Sequence, residues 1–293
     1  MRAEVRHRTT VVNGVEIFFR EAGPSDAPAI VLPHGYPCSS YEFRRYMEAL
    51  GDRWRMLAPD FPGSGLSATP EHFRYDFDGF ADILEAFLDQ QGVQRFVLYL
   101  HDFGTWIGLR LAMRRPERIA GLIIQNGDIY EDAMGPKYAG LRGAWEKGEE
   151  AGLAQIREAV SLDGFKEEFL NEVRPDLARR IPPDLWHLHW ALTTDRRREI
   201  YARTIFDLKQ NLAWFPRYQA YLREHAPPLL ILWGPQDGYM PEASARAYLR
   251  DRPDAELHLL DAGHWLLETS LDEAVSLSRA FLARLRQPVM PAA

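Results

Sequence analysis

The chain has 293 residues, of which 46% are hydrophobic and 26% charged, which is typical of a globular enzyme rather than of a disordered or fibrous protein. Its 35 Lys and Arg residues against 42 Asp and Glu residues give a formal net charge of -7, which on average repels a phosphate backbone. We therefore expect no nucleic acid partner. Cys38 is the only cysteine, which excludes an intrachain disulfide bond and a cysteine-rich metal site.

The first residues lack the pattern of a targeting segment. The stretch from Met1 to Thr10 is charged and contains no apolar region of the kind found in signal peptides. No part of the sequence approaches the roughly 18 apolar residues that a membrane span requires. We therefore expect a cytoplasmic protein with no membrane partner.

Short apolar runs bounded by turn residues alternate along the chain with segments of helical spacing. The runs predict buried strands at residues 15–19, 29–32, 55–58, 96–100, 122–124, 229–233 and 256–260. Apolar residues at helical spacing predict helices around residues 80–88, 107–113 and 275–285. Strands that alternate with helices indicate an α/β fold with a mostly parallel sheet.

This alternation stops after Gln125 and resumes near Pro227. The intervening sequence has helical patterns and no convincing strand, which predicts a helical cap at residues 128–225 inserted into a core of residues 1–127 and 226–293. Six of its aromatic residues are candidates for lining a substrate pocket, with ordinary packing as the alternative for each: Tyr130, Tyr138, Trp145, Trp186, Trp190 and Tyr201. His187 and His189 are predicted to be surface or packing residues, because no acidic residue lies beside them at metal-site spacing.

Asp102 lies where a predicted strand runs directly into a predicted helix. A sharp turn at such a junction exposes one side chain and points the next backbone N–H, here that of Phe103, at a developing oxyanion. A carboxylate in this position can attack an sp³ carbon and form an alkyl ester. The simpler alternative is that Asp102 only caps the N-terminus of the helix.

Hydrolysis of such an ester requires a base to activate water, and His264 directly follows the last predicted strand. Asp237 follows the preceding strand and is the predicted partner that orients the imidazole, with Asp128 as its rival. The loop His34-Gly35-Tyr36-Pro37 follows an early strand, and the Tyr36 N–H is the predicted second donor to the oxyanion.

Together with a glycine-rich turn after Asp60, these segments resemble the α/β-hydrolase superfamily, and specifically its branch of epoxide hydrolases and haloalkane or haloacid dehalogenases with an aspartate nucleophile. The resemblance implies a mostly parallel sheet flanked by helices, an inserted helical cap, and a reaction that needs no cofactor and no metal. Leu100 departs from the family pattern, because a small residue usually lies two positions before the nucleophile.

Further departures bear on the substrate. Haloalkane dehalogenases typically hold the halide with a Trp after the nucleophile and an Asn in the His-Gly loop, whereas this chain has Phe103 and Tyr36. Fluoroacetate dehalogenases have an Arg after the nucleophile. Epoxide hydrolases protonate the opening ring with two cap tyrosines, and Leu208 occupies the position of the second one here. The remaining candidates for the acid are Tyr36, Tyr130, Tyr138 and Tyr201.

The function predicted on these grounds is hydrolysis of an epoxide, or of a similar electrophilic carbon, in a small and mainly apolar organic substrate. Carbon–halogen hydrolysis by the same nucleophile is the first alternative. A noncatalytic receptor for a small ligand is the second. A serine-type esterase is disfavoured, because the turn at Asp102 contains neither Ser nor Cys. A homodimer formed through the cap remains open.

Overall fold

The structure is a computed structural model that describes residues 3–170 and 172–285. Its strands are β1 (Val5–Val12), β2 (Val15–Ala22), β3 (Ala29–Val31), β4 (Arg55–Pro59), β5 (Phe96–His101), β6 (Ile119–Gln125), β7 (Leu229–Trp233) and β8 (Glu256–Leu259). They form one sheet in the order β1-β2-β4-β3-β5-β6-β7-β8. β2 pairs antiparallel with β1 and β4, and all other neighbouring strands are parallel.

The α-helices before the insertion are α1 (Arg44–Leu50), α2 (Phe77–Gln90) and α3 (Phe103–Arg114). Between β6 and β7 lie α4 (Tyr138–Glu146), α5 (Glu149–Ala159), α6 (Leu162–Leu170), α7 (Pro175–Ala178), α8 (Asp184–Ala191), α9 (Asp195–Phe206), α10 (Leu208–Leu212) and α11 (Phe215–His225). They are followed by α12 (Glu242–Ala247), α13 (Leu266–Thr269) and α14 (Leu271–Leu285). In the described part of the chain, no helix is both long enough and apolar enough to cross a membrane.

All strands predicted from the sequence are present, each end within three residues of its expected position, and the predicted α/β class is confirmed. β1 is the strand that the sequence did not predict. It lies at the edge of the sheet, and of its residues only Val12 is buried, so it lacks the apolar pattern by which the other strands were recognised. Its antiparallel pairing with β2 stabilises it instead.

The sheet separates two apolar clusters, because consecutive strand residues point to opposite faces. Val31 and Leu98 pack on the face covered by α2 and α3, whereas Ile30 and Val97 pack on the face covered by α1 and α14. Both faces of the central strands are therefore buried, which explains why they read as continuous apolar runs rather than as alternating patterns.

We refer to α4–α11 as the inserted helices. They contribute to a third apolar cluster in which Phe165 and Phe169 of α6 and Phe206 of α9 pack with Cys38 and Trp265. Cys38 follows β3 and Trp265 follows β8, so both lie beyond the carboxyl ends of parallel strands. The inserted helices thus cover the edge of the sheet at which α/β proteins place their ligand sites.

Candidate active site

Asp102 connects β5 to α3 with φ +48° and ψ −128°, which is a strained conformation for a residue with a side chain. Two positions later, a Cβ atom at Gly104 would lie 2.0 Å from the carbonyl oxygen of Pro33. The tight turn therefore requires glycine at that position. The predicted sharp turn at Asp102 is present, and it projects a buried carboxyl group from the end of the strand.

The unusual Leu100 does not widen this turn, because helix α3 provides the space. A Cβ atom at Gly108 would lie only 2.2 Å from Cδ2 of Leu100. In the family, a small residue two positions before the nucleophile leaves space at this turn. Here the missing side chain of Gly108 in α3 leaves the space that Leu100 fills. The positive φ of Asp102 is retained as a result.

Backbone donors hold one side of the Asp102 carboxylate. The N–H of Tyr36 donates to Oδ1 at 2.7 Å, and the N–H of Phe103 also bonds to the carboxylate. A Cβ atom at Gly35 would lie 2.3 Å from Oδ1, so the loop can approach this closely only as glycine. Burial raises the pKa of Asp102, while the charge of His264 and the two N–H donors oppose the rise. The structure thus brings both predicted oxyanion donors to the predicted nucleophile.

His264 lies between two carboxylates. Its Nε2 atom is 3.8 Å from Oδ2 of Asp102, and its Nδ1 atom donates to Oδ2 of Asp237 at 2.7 Å. Burial alone would lower the pKa of His264, but the charge and hydrogen bond of Asp237 and the charge of Asp102 raise it to about 9. An imidazolium is therefore favoured while both carboxylates are charged.

Asp237 is fixed by several donors. Its Oδ1 atom accepts from the N–H groups of Tyr239 at 2.9 Å and Met240 at 3.1 Å, and its Oδ2 atom accepts from Nδ2 of Asn126 at 2.9 Å. Although burial would raise the pKa of Asp237, the His264 charge and these hydrogen bonds hold it below its usual range. Asp237 is thus a buried, ionised acceptor for the imidazole.

The rival acid, Asp128, is not in contact with the imidazole. Its Oδ1 atom accepts a long hydrogen bond of 3.4 Å from the Tyr138 hydroxyl, and its buried Oδ2 atom has no hydrogen-bond partner among the described residues. Burial raises the pKa of Asp128 to about 8. The geometry therefore favours Asp237 as the orienting group.

Asn126, which sequence reasoning missed, joins the loops after β6 and β7. It has φ +34°, its Oδ1 atom accepts from the N–H of Gly234, and its Nδ2 atom donates to the carbonyl of Gly234, each at 2.9 Å. Its bond to Asp237 is made by the same amide group. Its position directly after a central parallel strand is the signal that points to such a residue.

A second group missed from the sequence lies behind His264. The carbonyl oxygen of His264 is 3.1 Å from Nε2 of His101 and accepts from Nε2 of Gln125 at 2.9 Å. The rings of His101 and His264 are 4.5 Å apart, and Nδ1 of His101 is 3.4 Å from Oε1 of Glu42. Burial holds the pKa of His101 well below its usual range, so it packs against the site as a neutral ring.

A cavity opens above the Asp102 carboxylate. It is lined by Tyr36, Asp102, Phe103, Tyr138, Leu141, Glu168, Ile205, Leu208, Tyr239, Met240 and His264. A neighbouring, smaller cavity is lined by residues that include Phe61, Phe80, Ile200 and Tyr201. Apolar and aromatic side chains dominate both walls, so the space suits a small and mainly apolar molecule.

The predicted pocket aromatics divide into two groups. Tyr138 and Tyr201 line the two cavities, as do Tyr36 and Leu208. The remaining four are not among the residues that line these two cavities, and each makes a packing contact or a hydrogen bond elsewhere. The hydroxyl of Tyr130 donates to Asp251 at 2.7 Å, and Nε1 of Trp145 donates to the carbonyl of Phe206 at 2.9 Å. The rings of Trp186 and Trp190 pack against Phe169 and Phe165, respectively.

Glu168 and Tyr239 also line the cavity, although the sequence analysis did not single out either of them. The Tyr239 hydroxyl donates to Oε1 of Glu168 at 3.2 Å. Burial raises the pKa of Glu168 to about 7. A helical Glu among other charged residues of α6 carries no sequence signal, and only the packing of this helix directs it to the site.

Within residues 3–170 and 172–285, no group of three or more His, Cys, Asp and Glu side chains is arranged to hold a metal ion. His189 is buried, with Nδ1 lying 2.6 Å from the carbonyl of Leu185 and Nε2 lying 3.1 Å from Oγ of Ser39. Burial also raises the pKa of the Cys38 thiol well above its usual value. Both side chains thus have packing roles in the structure.

Comparison with known proteins defines the family. A family model described as the alpha/beta hydrolase fold matches residues 28–271. An uncharacterized hydrolase of Saccharomyces cerevisiae is 31% identical over 269 residues, which cover 90% of this chain and 92% of the yeast protein. The chain therefore belongs to the α/β-hydrolase family, and it is a hydrolase.

Solved structures extend the comparison at the level of the fold. A haloalkane dehalogenase of Bradyrhizobium elkani superimposes with a TM-score of 0.78 at 24% identity, covering 96% of this chain and 99% of the dehalogenase. An epoxide hydrolase superimposes with a TM-score of 0.78 at 17% identity, and the alignment covers 97% of this chain and 100% of the epoxide hydrolase. The fold of this chain is thus similar to those of a haloalkane dehalogenase and of an epoxide hydrolase.

Proposed function

We propose that the protein hydrolyses epoxides through an ester formed on Asp102. The main support for this proposal is that the two oxygen atoms of the Asp102 carboxylate have different surroundings. Oδ1 is held by the Tyr36 N–H at 2.7 Å, while Oδ2 faces His264 at 3.8 Å. One oxygen is thus stabilised as the future carbonyl oxygen of an ester, and the other is directed toward the cavity and the base.

In the first step, Oδ2 of Asp102 attacks a ring carbon and forms a C–O bond. The bond from that carbon to the ring oxygen breaks, and its electron pair stays on the ring oxygen, which takes up a proton. The reaction requires no base, because Asp102 attacks as a carboxylate. The imidazolium form of His264, favoured by its raised pKa, does not interfere at this stage.

Ester formation then prepares His264 for the second step. The negative charge of Asp102 is one of the causes that raise the pKa of His264. Esterification neutralises that charge, so the pKa of His264 falls and the imidazolium releases its proton to solvent until the Asp102 carboxylate is restored. The neutral imidazole can then accept a proton from water. The resulting hydroxide attacks Cγ of Asp102, and the negative charge that develops on Oδ1 is stabilised by the Tyr36 and Phe103 N–H groups. Collapse of this intermediate breaks the bond between Cγ and Oδ2, and the alkoxide that leaves takes the proton from His264.

The donors around the cavity favour an epoxide over a halide. Haloalkane dehalogenases typically hold the leaving halide with N–H donors such as an indole, and three indole N–H groups of this chain are already engaged in hydrogen bonds. The Nε1 groups of Trp106, Trp145 and Trp265 each donate to a backbone carbonyl, those of Asp128, Phe206 and Glu168. The cavity instead presents hydroxyl and carboxyl groups, which can supply a proton to a leaving oxygen.

A noncatalytic receptor is less well supported. Leu100, the departure from the family pattern beside the nucleophile, would favour a receptor if it disturbed the tight turn, but Gly108 accommodates this side chain and the turn is kept. The apolar walls of the two cavities support a small and mainly apolar substrate.

The test is to trap the ester with a His264→Gln variant, which retains the nucleophile but lacks the base. After incubation with a panel of epoxides and bromoalkanes, intact mass should increase by the whole mass of an epoxide, because ring opening retains every atom. A bromoalkane would instead add its mass less that of hydrogen bromide. The same variant carrying Asp102→Ala should show no increase. Adducts only from bromoalkanes would establish dehalogenation instead, and no adduct from either class would refute the proposal.

A further inference from the structure

We infer that Glu168 is the acid that protonates the oxygen released from the ring, and that Tyr239 holds the Glu168 carboxyl group in position. This inference rests on the proposed epoxide hydrolysis and names a catalytic group for it. Neither Glu168 nor Tyr239 corresponds to the pair of cap tyrosines that the family resemblance led us to expect, and Leu208 lines the cavity at the position of the second one.

Glu168 enters the cavity of the nucleophile from the inserted helices, which cover the edge of the sheet where Asp102 lies. It belongs to α6, one of the inserted helices, and lines the same cavity as Asp102 and His264. An epoxide attacked by Asp102 has its leaving oxygen on the side away from the attacking carboxylate, because the nucleophile enters opposite to the breaking bond. A proton donor on the inserted helices is therefore on the side where the reaction needs it.

Contacts to the side chain and to the backbone of Glu168 hold it in position. Tyr239 donates to Oε1 of Glu168 at 3.2 Å, which leaves Oε2 as the oxygen that can carry the proton. The backbone N–H of Tyr239 donates to Oδ1 of Asp237 at 2.9 Å, so the same segment fixes the partner of His264. Nε1 of Trp265, the residue after His264, donates to the carbonyl oxygen of Glu168 at 2.9 Å. These contacts tie Glu168 to both loops that build the site.

The groups that face Glu168 come from every neighbouring element. They are Lys137 and Tyr138 at the start of α4, Asp102, Tyr239, His264 and Tyr36. Nζ of Lys137 is 2.7 Å from Oε1 of Glu167, the exposed neighbour of Glu168, so its nearest acidic partner lies outside the cavity. Burial and the charge of Asp102 raise the pKa of Glu168, and the charges of Lys137 and His264 oppose this, with a result of about 7.

A carboxyl group with this pKa is a better acid near neutral pH than the tyrosines around it. Burial raises the pKa values of Tyr36, Tyr138 and Tyr239 above their ordinary range. An acid is most effective when its pKa lies near the working pH, because a large fraction of it is then protonated and the proton is still readily transferred. Among the cavity-lining residues, Glu168 meets this condition.

The proton balance closes over one turnover. As Asp102 opens the ring, the Glu168 carboxyl gives its proton to the ring oxygen and becomes a carboxylate. Water then brings two protons into the second step. One ends on the alkoxide that leaves Asp102 as the second hydroxyl of the diol, and the other returns to Glu168. The net reaction is addition of one water to one epoxide.

The test measures the rate of ester formation by intact mass in single-turnover mixtures, in the His264→Gln background, so that hydrolysis does not intervene. Two electrophiles with the same carbon chain are compared: an epoxide, whose leaving oxygen needs a proton, and a primary alkyl tosylate, whose leaving group needs none. Glu168→Gln should slow alkylation by the epoxide about 100-fold to 10,000-fold, which is the usual range for general acid catalysis. It should leave alkylation by the tosylate unchanged.

The matched control is Asp163→Asn, which removes an exposed carboxylate from the first turn of the same helix. It should leave the reactions with both electrophiles unchanged. Tyr239→Phe should slow the epoxide reaction by a smaller factor than Glu168→Gln, since it removes only the hydrogen bond that orients the acid.

The pH profile provides a readout that a structural role would not move. Ester formation from the epoxide should fall about tenfold per pH unit once Glu168 loses its proton. The midpoint should lie above pH 7 in the His264→Gln background, because the His264 charge that lowers the pKa of Glu168 is absent. The Glu168→Gln variant should lack this alkaline limb.

Different failures have different meanings. If the epoxide forms no adduct in the His264→Gln background, epoxide hydrolysis is wrong and the role of Glu168 falls with it. If the adduct forms but Glu168→Gln neither slows it nor removes the alkaline limb, only the role of Glu168 is wrong. If Glu168→Gln slows the epoxide and the tosylate equally, Glu168 shapes the cavity and does not act as the acid.

Discussion

A Cβ atom added to Gly35 would lie 2.3 Å from Oδ1 of Asp102, far inside the contact distance of the two atoms. Neither the loop at Gly35 nor the Asp102 carboxylate can move away easily. Oδ1 is held by the N–H of the next residue, Tyr36, and the Asp102 backbone is fixed in a strained turn. The loop can therefore approach the nucleophile this closely only because residue 35 has no side chain, which a substitution of Gly35 can test.

Gly35→Ala should slow ester formation by about 100-fold or more, because displacing a reacting group by about 1 Å costs on that order. Single-turnover mass spectrometry with a reactive epoxide, in the His264→Gln background, measures the effect. Gly140→Ala is the control, because a Cβ atom there meets nothing within 4 Å. Unchanged ester formation in Gly35→Ala would show that the loop moves freely and that Tyr36 is not a fixed donor.

Asp237→Asn should reduce turnover by about 10,000-fold, the loss seen when an orienting carboxylate of a triad becomes an amide. Asp128→Asn should retain most of the activity, because Asp128 contacts Tyr138 rather than the imidazole. Steady-state kcat of the two variants decides between the two acids. A greater loss in Asp128→Asn would reverse the assignment.

Asp102→Asn should lower the pKa of His264 from its raised value of about 9, because the charge of Asp102 is one cause of the rise. The variant imitates the charge state of the ester. NMR titration of the His264 ring measures the change, with Asp163→Asn as the control. A pKa that does not fall would remove the proposed switch of His264 from imidazolium to base.

The same raised pKa predicts the pH dependence of folding stability. A group with a higher pKa in the folded than in the unfolded state stabilises the fold fully below its unfolded pKa of about 6.5, and this contribution is lost as pH rises through about 9. The free energy of unfolding, measured by urea denaturation, should therefore fall between these pH values. In His264→Gln the decline should be smaller. An equal decline in both proteins would contradict the raised pKa.

Gly108→Ala should destabilise the fold by about 1 to 3 kcal/mol, because the added methyl group meets Leu100. In the double variant Leu100→Ala, Gly108→Ala the clash is relieved, so the two effects should couple by about 0.5 to 3 kcal/mol in a double-mutant cycle of urea unfolding. Additive effects would show that Gly108 does not provide the space for Leu100.

Much of the fold could be predicted because short apolar runs and turn residues in the sequence reflect which segments are buried and where they end. The central strands are buried on both faces and read as apolar runs, and turn residues mark their ends. Asp102, Asp237 and His264 each follow such a strand, and parallel strands bring their carboxyl ends to one edge of the sheet. The positions of these three side chains near one another therefore follow from strand ends that the sequence marks. β1 escaped prediction because its pairing with β2, rather than an apolar face, stabilises it.

In the inserted helices, by contrast, the residues that line the cavity could not be predicted from the sequence. Their aromatic residues include Tyr138, which lines the cavity, and Trp145, whose indole is bonded to a backbone carbonyl in the packing behind it. Nothing in the spacing of these residues distinguishes the two, because both faces of a helix packed between a sheet and its neighbours can be apolar.

By itself, the sequence determined the class of fold, the order of the chemical groups along the chain and the edge of the sheet at which they meet. Only the tertiary structure decided that Asp237 rather than Asp128 holds the imidazole, that Gly108 makes room for Leu100, and that Glu168 reaches the cavity. The physical reason is that these outcomes depend on contacts between residues far apart in the chain, and the packing of α3 and the inserted helices selects those contacts.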